Sequence, residues 1–294
     1  MSYDVVVVGA GGAGAPLAAR LSEDSQRSVL LLEAGPIPAH AQSFPTDLLD
    51  SGTVQGATPG HPHNWSFMGY LTPDRPYTIA RGRILGGSTA INGAYFIRAR
   101  RQDFDRWSAN GNDEWAWEEV LPFYRKLEND LQYGDSDVHG GSGPMPVSRM
   151  PQHHPGTIAF ARAAAELGFP AEPDKNAQGE PGYGPIPTNS VDGQRINTGM
   201  AYVHPIRGRQ NFSVAGDSYV QRVVFDGTRA VGVEILRCGI ISVIEAKEVV
   251  LAAGAIKTPH ILLLSGVGPS SRRASRRASF ARPGRRGSLP PRGP

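Results

Sequence analysis

Four glycines near the start of the sequence are the residues whose spacing points most directly to chemistry. Gly9, Gly11 and Gly14 form the pattern G-x-G-x-x-G, and Gly12 lies between the last two. In this pattern the first glycine allows a tight turn, the second lets backbone N–H groups approach a pyrophosphate, and the third lets a helix pack closely on a strand. The phosphates then lie at the positive end of the helix dipole. The spacing therefore predicts a dinucleotide-binding turn, with a purely structural turn as the alternative.

Glu33 is the second residue with a predicted chemical role. It lies nineteen residues after Gly14, at the end of the apolar stretch SVLLLEAG. A carboxylate at this position can accept hydrogen bonds from both hydroxyls of an adenosine ribose, and it disfavours a 2′-phosphate. NADP is therefore the least favoured occupant, while FAD and NAD both stay open. The glycine-rich stretches at residues 140–144 and 266–269 lack the strand-turn-helix context, so we expect one dinucleotide site.

The elements that must position these residues are visible as apolar runs. Residues 5–8 are four consecutive valines before the glycine turn, and an alanine-rich helical pattern follows it. The stretches SVLLLEAG and KEVVLAAG are similarly apolar. Continuous β-branched runs are typical of strands buried on both faces of a parallel sheet. The sequence therefore predicts an α/β fold with a Rossmann-like dinucleotide-binding domain.

Composition and charge separate the main part of the chain from its last residues. The chain has 294 residues, 39% of them apolar, with 36 glycines and a net charge of +3. Residues 270–294 contain eight arginines and no acidic residue, so the remaining residues hold 22 basic and 27 acidic side chains. The basic character belongs to the tail, and we expect no nucleic-acid partner. A single cysteine, no apolar run of about 20 residues and no basic leader predict a cytoplasmic protein without a transmembrane segment.

Two longer motifs follow the glycine turn. Residues 81–95, RGRILGGSTAINGAY, combine paired glycines with small hydroxyl side chains and an amide, which suits close contact with a polar ligand. Residues 254–269, GAIKTPHILLLSGVGP, predict a small-residue turn, a helix started by its proline and a glycine-rich turn.

These two motifs resemble the two signatures of the glucose-methanol-choline (GMC) flavin oxidoreductases, and the resemblance extends over residues 3–269. It implies that FAD is the cofactor, with the first glycine turn at its pyrophosphate, Glu33 at its adenosine ribose and Val220 beside its adenine. Ile91 stands where some members carry a histidine covalently attached to the flavin, so the resemblance implies non-covalent FAD. The residues implied beside the pyrophosphate and the isoalloxazine are Arg83, Gly86, Gly87, Thr89, Asn92, Gly93 and Ala94, and Gly254 opens the second signature.

The resemblance also implies a reaction, the oxidation of a small-molecule alcohol to a carbonyl compound by hydride transfer to the flavin. In this family the base is a histidine paired with a second histidine or an asparagine, both from the carboxy-terminal half. No histidine of this chain occupies the matching position, so we name no catalytic residue, and we predict no metal site. The electron acceptor stays open between oxygen, a quinone and a redox peptide. A weaker similarity to the mycofactocin-associated subgroup favours the peptide.

The implied domain division follows the same resemblance. Residues 1–150 form the first part of the FAD-binding domain, in which residues 36–80 are expected to be loops that cover the flavin. Residues 151–205 form a partial α+β substrate domain, and residues 206–269 form the second part of the FAD-binding domain. Residues 270–294 are predicted to be a disordered basic tail, either the product of a changed reading frame or truncation, or a genuine polyanion-binding segment. The alternative function is a non-catalytic FAD-binding remnant with such a tail.

Several other residues have a structural interpretation that we prefer to a chemical one. His61 and His63 have no partner ligands at supporting spacing, so a surface or hydrogen-bonding role is expected rather than a metal site. Arg195 and His204 lie before a strand and could face substrate, but a structural role is favoured. A helix is expected to begin near Trp117, with Trp107, Trp115 and Trp117 as core aromatics. Another helix is expected to cover about twelve residues from Pro155.

Overall fold

The computed structural model of the chain describes residues 2–269. Within this range the strands are β1 (Ser2–Val8), β2 (Val29–Leu32), β3 (Phe67–Thr72), β4 (Arg75–Ile79), β5 (Glu128–Asp130), β6 (Met145–Arg149), β7 (Pro187–Thr188), β8 (Ser190–Val191), β9 (Gln194–Arg195), β10 (Phe212–Ala215), β11 (Tyr219–Asp226), β12 (Arg229–Arg237) and β13 (Ile240–Leu251). The α-helices are α1 (Gly14–Leu21), α2 (Thr46–Leu49), α3 (Arg101–Ser108), α4 (Trp117–Leu127), α5 (Pro155–Glu166) and α6 (Gly254–Leu264). The predicted tail lies outside the described residues.

A six-stranded sheet carries the site, with strand order β10-β2-β1-β13-β12-β11. The first four strands are parallel neighbours. The four valines of β1 are buried, and so is all of β2. These apolar runs are buried because the sheet is covered on both faces, as is usual for parallel sheets. The predicted α/β fold with a parallel sheet is confirmed.

Strand β13 belongs to two halves of this sheet. Glu245 pairs with Ser2 of β1 on one side and with Gly232 of β12 on the other. Before Glu245, β13 runs antiparallel to β12, and after it β13 runs parallel to β1. Cys238 and Gly239, between β12 and β13, have φ values of 49° and 78°, as a two-residue type I′ turn requires. Such a tight turn makes neighbouring strands antiparallel, so a hairpin extends the predicted parallel sheet.

The glycine turn joins β1 to α1 by close packing. A Cβ added to Gly14 would lie 1.9 Å from the carbonyl oxygen of Gly9 and 3.1 Å from the Cβ of Ala252. Ala15 and Ala18 of α1 are fully buried in the core on the same side of the sheet. Only glycine leaves room for the helix to start this close to the strand, which is the packing role predicted for Gly14.

A smaller sheet stands apart from the main one. Strands β5 and β6 are parallel and β6 and β7 antiparallel, in the order β5-β6-β7. Its strands lie in both of the first two predicted domain ranges, and the predicted boundaries stay a prediction. Among the helices of residues 2–269, none is both long and apolar enough to cross a membrane.

Three local expectations need correction. Residues 36–80 were expected to be loops, but β3 and β4 pair there as an antiparallel hairpin. Helix α6 begins at Gly254, directly after the short turn that follows β13, so Pro259 lies inside the helix rather than at its start. Trp107 and Trp115 are about half exposed, while Trp117 is buried as expected. The predicted starts of α4 and α5 are confirmed.

Candidate cofactor site

A cleft of about 260 Å³ opens at the carboxyl end of β1 and β2. Its walls come from the glycine turn, the end of β2, the first signature motif, the start of β11 and the first turn of α6. Ligands in open α/β sheets bind at this edge of the sheet. Seven of the predicted site residues line the cleft: Gly9, Gly11, Gly12, Glu33, Gly87, Val220 and Gly254.

The two glycine motifs meet at the floor of the cleft. The N–H of Gly86 donates to the carbonyl of Ala10 at 2.8 Å. Gly87 has a φ of 53°, and a Cβ there would lie 2.7 Å from the Cα of Gly11. The backbones therefore touch without side chains between them. In addition, the N–H groups of Gly11 and Gly12 make no hydrogen bond within residues 2–269, so this wall offers backbone donors next to the positive dipole end of α1.

Glu33 is 6% exposed and faces the same cleft. Its Oε2 accepts the N–H of Ala10 and its Oε1 the N–H of Gly35, each at 3.0 Å. Burial raises the pKa of Glu33 to about 7, and the backbone donors at Gly35 and Ala10 counteract only part of this effect. A carboxylate has about four acceptor positions, so two remain for ligand hydroxyls.

The start of β11 lies beside Glu33. Ser218 donates its N–H to the carbonyl of Glu33 at 2.9 Å. Val220 is buried and lines the cleft. The predicted adenine-side residue is therefore brought next to the predicted ribose-side residue, although they are far apart in the sequence.

Four further side chains line this end of the cleft, and the sequence analysis did not single them out: Trp65, Phe67, Tyr219 and Lys257. The apolar residues at 65 and 67, with Ser66 between them, show the alternation of a strand entrance. That pattern predicts a shared face for the two rings but gives no sign of the partner across the cleft.

The other predicted residues do not line the cleft. Gly14 packs on the turn, and Gly86 supports it from behind. Arg83 is exposed, donates to the carbonyl of Pro62 and lies over the ring of Trp65. Thr89 bonds within its own turn and to Thr198. Asn92, Gly93 and Ala94 follow in a separate turn, in which the side chain of Asn92 accepts the N–H of Ala94 at 2.9 Å.

Arg195 supports this turn from the protein interior. It is 1% exposed, and its guanidinium donates to the carbonyls of Leu48, Asp50, Thr53 and Asn92. Burial lowers the pKa of Arg195. The structural role favoured for this residue agrees with these contacts, which tie the first signature to residues 48–53.

A buried ionic cluster lies in the smaller sheet, where Glu128, Asp130 and His139 bring donor atoms within reach of a common metal ion. His139 bonds Glu128 through Nδ1 and Asp174 through Nε2, each at 2.8 Å. Burial alone would lower the pKa of His139, but the hydrogen bonds to Asp174 and Glu128 outweigh it and raise the pKa to about 9.

Two arginines complete this cluster. Arg98 pairs with Glu128 at 2.5 Å, and Arg149 pairs with Asp130 at 2.8 Å and with Asp174 at 2.7 Å. With His139 protonated, three cationic groups face three carboxyl groups. The two guanidinium groups already pair with the carboxylates that a metal ion would need. We therefore interpret the cluster as an internal ion-pair network.

The histidines discussed in the sequence analysis have local partners. His61 bonds Asp47 at 3.0 Å, and His204 bonds the carbonyl of Pro38 at 3.1 Å. The side chains that line the cleft within residues 2–269 include no histidine. Nothing in this cleft therefore resembles a histidine base.

The residues present fit a dinucleotide. The glycine walls leave the N–H groups of the turn open to a phosphate, because side chains there would fill the space. The buried Glu33 retains acceptor capacity for a ribose. The cleft continues beyond Glu33 to aromatic side chains that suit a base.

Comparison with known proteins identifies the family to which the chain is related. The family model described as GMC oxidoreductase matches residues 3–283. The chain is 44% identical over 278 residues to the "uncharacterized GMC-type oxidoreductase in thcA 5′ region" of Rhodococcus erythropolis, covering 94% of this chain and 55% of that protein. It is 36% identical to the mitochondrial choline dehydrogenase of Mus musculus, covering 90% and 46%. The chain thus spans about half the length of the curated relatives it matches.

A solved structure shares the fold. Pyridoxine 4-oxidase from Mesorbium loti superposes with a TM-score of 0.86 at 32% identity, covering 93% of this chain and 54% of that one. The predicted cofactor is confirmed at the level of the family, whose members are FAD-dependent flavoproteins. The mycofactocin subgroup is not confirmed. By its matched residues, its relatives and the architecture of its cleft, the chain belongs to the GMC oxidoreductase family.

Proposed function

We propose that this chain binds FAD non-covalently in the cleft and that the protein oxidises the CH–OH group of a small-molecule alcohol. The observation that carries the proposal is the position of the buried Glu33 carboxyl in the same cleft as the glycine turn at the start of α1. A helix terminus and a carboxylate arranged in this way match a pyrophosphate and the adjoining ribose.

We assign the residues of the cleft as follows. Gly9, Gly11 and Gly12 hold the pyrophosphate, with Gly87 pressed against them, and Glu33 accepts the ribose hydroxyls. Val220 lies beside the adenine. Gly254, at the start of α6, lines the cleft as well. The remaining predicted residues act as a supporting layer: Gly14, Arg83, Gly86, Thr89, Asn92, Gly93 and Ala94.

In the proposed reaction, bound FAD supplies the hydride acceptor. The residues of this chain bind and orient it, and the backbone contact between the two glycine motifs holds the phosphate wall in place. We assign no catalytic base to this chain, and the electron acceptor stays open between oxygen, a quinone and a redox peptide. Choline dehydrogenase and pyridoxine 4-oxidase, by their names, act on molecules that carry an alcohol group, which supports the substrate class.

FAD uptake tests the binding part of the proposal. The purified chain, incubated with FAD and desalted, should retain about one flavin per chain, with the absorbance of a bound flavin. Acid precipitation should release all of it, because the buried Ile91 offers no group for covalent attachment. The variant Gly12→Asp should lose the flavin, since it adds a carboxylate to the phosphate wall. Gly208→Asp, at a glycine with open space around it, is the matched control. A chain that takes up no FAD would contradict the proposal.

Flavin reduction separates an enzyme from the second candidate, an FAD-binding remnant without catalysis. That candidate is favoured by the cleft of residues 2–269, whose lining contains no histidine. The holoprotein, kept anaerobic and mixed with choline or pyridoxine, should show bleaching of the flavin absorbance if the chain is catalytic by itself. Bound flavin that dithionite reduces, but that neither these two nor a wider panel of primary and secondary alcohols reduces, would favour the remnant.

A further inference from the structure

The hairpin of β3 and β4 is a separate two-stranded sheet. Within residues 2–269, its strands pair with each other and with no strand of another sheet. Most of their residues are exposed. Two-stranded hairpins are marginally stable in water unless another element packs on them, so this hairpin is a surface that a partner would stabilise.

Large apolar side chains account for much of this exposure. Four of them are more than half exposed: Met68 (62%), Tyr70 (67%), Leu71 (61%) and Tyr77 (53%). The register pairs Met68 with Thr78 and Tyr70 with Pro76, and residues two apart or directly paired share a face of the hairpin. Phe67, on the opposite face, lines the cofactor cleft. The other face, which we call the outward face, therefore carries Met68, Tyr70, Pro76 and Thr78 and no charged residue.

The two strands differ in how their outer edges are protected. Strand β4 contains Arg75 and Pro76, and charges and prolines on an edge strand oppose its pairing with another chain. Strand β3, with the sequence FMGYLT, contains neither. Among the residues that the structure describes, β3 pairs with β4 alone, so its other edge is open. An open, uncharged and apolar edge of this kind favours the addition of a further strand.

We propose that β3 pairs antiparallel with β3 of a second copy of this chain, which gives a two-fold symmetric dimer with a four-stranded sheet of order β4-β3-β3-β4. A two-fold axis brings the same surface of both copies together. The two outward faces then lie side by side and join into one apolar surface, with no like charges opposed across the axis. The interface lies beside the cofactor cleft, because β3 begins at Phe67.

The exposed area is of the size that a weak dimer needs. Large side chains have about 150 to 250 Å² of surface, so the four exposed apolar side chains offer roughly 400 Å² per copy. Apolar patches of a few hundred Å² mark interaction sites. Two copies bring roughly 800 Å² together, and the backbone edges raise the total toward about 1,200 Å², the lower end of specific interfaces. We therefore expect a reversible dimer with a dissociation constant of about 10 µM.

Sedimentation velocity of the full chain with FAD, between about 1 and 100 µM, measures the association. The variant Tyr70→Lys places a charge on the outward face, where two copies would bring like charges together. Phe160→Lys, at a 66% exposed aromatic residue of α5, is the matched control. The wild type and Phe160→Lys should dimerise equally well, and Tyr70→Lys should dimerise at least about tenfold more weakly. Circular dichroism checks that each variant retains the fold.

Hydrogen exchange of the wild-type chain locates the interface without any substitution. Amides of β3 should exchange more slowly at the highest chain concentration than at the lowest, because the N–H groups of the open edge gain acceptors in the dimer. Strand β11, at an edge of the six-stranded sheet, is the internal control, and its exchange should not depend on concentration.

Three results would overturn the inference: a chain that is monomeric over the whole concentration range, association that Tyr70→Lys and Phe160→Lys weaken equally, and protection that appears at β11 instead of β3. A monomeric chain that binds phosphatidylcholine vesicles, and that Tyr70→Lys releases from them, would assign the outward face to a lipid surface instead. The inference does not rest on the proposed function, since a dimer that takes up no FAD would refute that function and leave the interface standing.

Discussion

Replacement of Glu33 by glutamine tests the electrostatics of the cleft through stability as well as binding. Burial raises the pKa of this carboxyl from an ordinary 4.5 to about 7. The folded protein therefore binds a proton at Glu33 more tightly than the unfolded chain does. By linkage, the contribution of Glu33 to the free energy of unfolding falls as pH rises from 4.5 to about 7, and it stays low at higher pH.

The magnitude follows from the two pKa values. One pKa unit corresponds to about 1.4 kcal/mol, so the ionised carboxylate costs the folded state about 3 kcal/mol above pH 7. Glutamine carries no charge, and its contribution does not change with pH. It keeps one acceptor oxygen and so loses one of the two backbone hydrogen bonds, from Ala10 or Gly35, a constant loss of about 1 kcal/mol.

Urea unfolding without FAD, followed by tryptophan fluorescence between pH 5 and pH 8, measures the difference between the two proteins. At pH 5 the effect of the raised pKa and the lost hydrogen bond nearly cancel, so the two proteins should be about equally stable, whereas at pH 8 Glu33→Gln should be the more stable by about 2 kcal/mol. Because other titrating groups are common to both, they cancel in the difference. FAD should nevertheless bind the Glu33→Gln variant about 10- to 100-fold more weakly than the wild type, because the ribose hydroxyls lose a charged acceptor. A difference in unfolding free energy that stays constant within about 1 kcal/mol across this pH range would refute the reasoning.

Two other substitutions test separate parts of the molecule. Gly87→Ala should destabilise the fold and weaken FAD binding at least tenfold, because its Cβ would lie 2.7 Å from the Cα of Gly11; Gly227→Ala shares a positive φ but meets no atom within 4 Å, and should leave FAD binding unchanged. His139→Leu should cost about 3 to 5 kcal/mol in urea unfolding at pH 6.5, because it leaves three buried carboxylates facing only two guanidinium groups, with one negative charge uncompensated, whereas His153→Leu, at an exposed histidine, should cost little. Since the pKa of His139 is raised to about 9, its stabilisation should be lost as pH rises from 6.5 through 9, and a cost independent of pH would contradict the ion-pair network.

The parts of the site that could be predicted are those fixed by local backbone requirements. The glycine turn, the strand before it and Glu33 follow from spacing alone, because a tight turn and a strand end restrict which residues can stand there. The aromatic end of the cleft could not be predicted in this way. Trp65 and Lys257 are far apart in the sequence and meet only because the hairpin β3–β4 and helix α6 fold onto the same opening.

The fold shows the same division. The apolar runs predicted a parallel sheet, and β1, β2 and β13 form it. Strands β11 and β12 extend the sheet in the antiparallel direction through a turn at Cys238 and Gly239. Cysteine rarely adopts a positive φ, so the residue at 238 does not indicate this turn in the sequence. We predicted that the helix starts at Pro259, because prolines favour the first turn of a helix. The helix in fact begins earlier, at Gly254.

The pairing of Ser2 with Glu245 has a consequence for how the chain folds. Strand β1 is synthesised before its neighbour β13, which lies near residue 250 and is the last strand to emerge among those of residues 2–269. Contacts between residues so distant in sequence form slowly, and an unpaired strand edge invites association with other chains. A growing chain on the ribosome therefore displays the Val5–Val8 edge until β13 has left the exit tunnel, so chaperone binding during translation should protect this edge until the sheet closes.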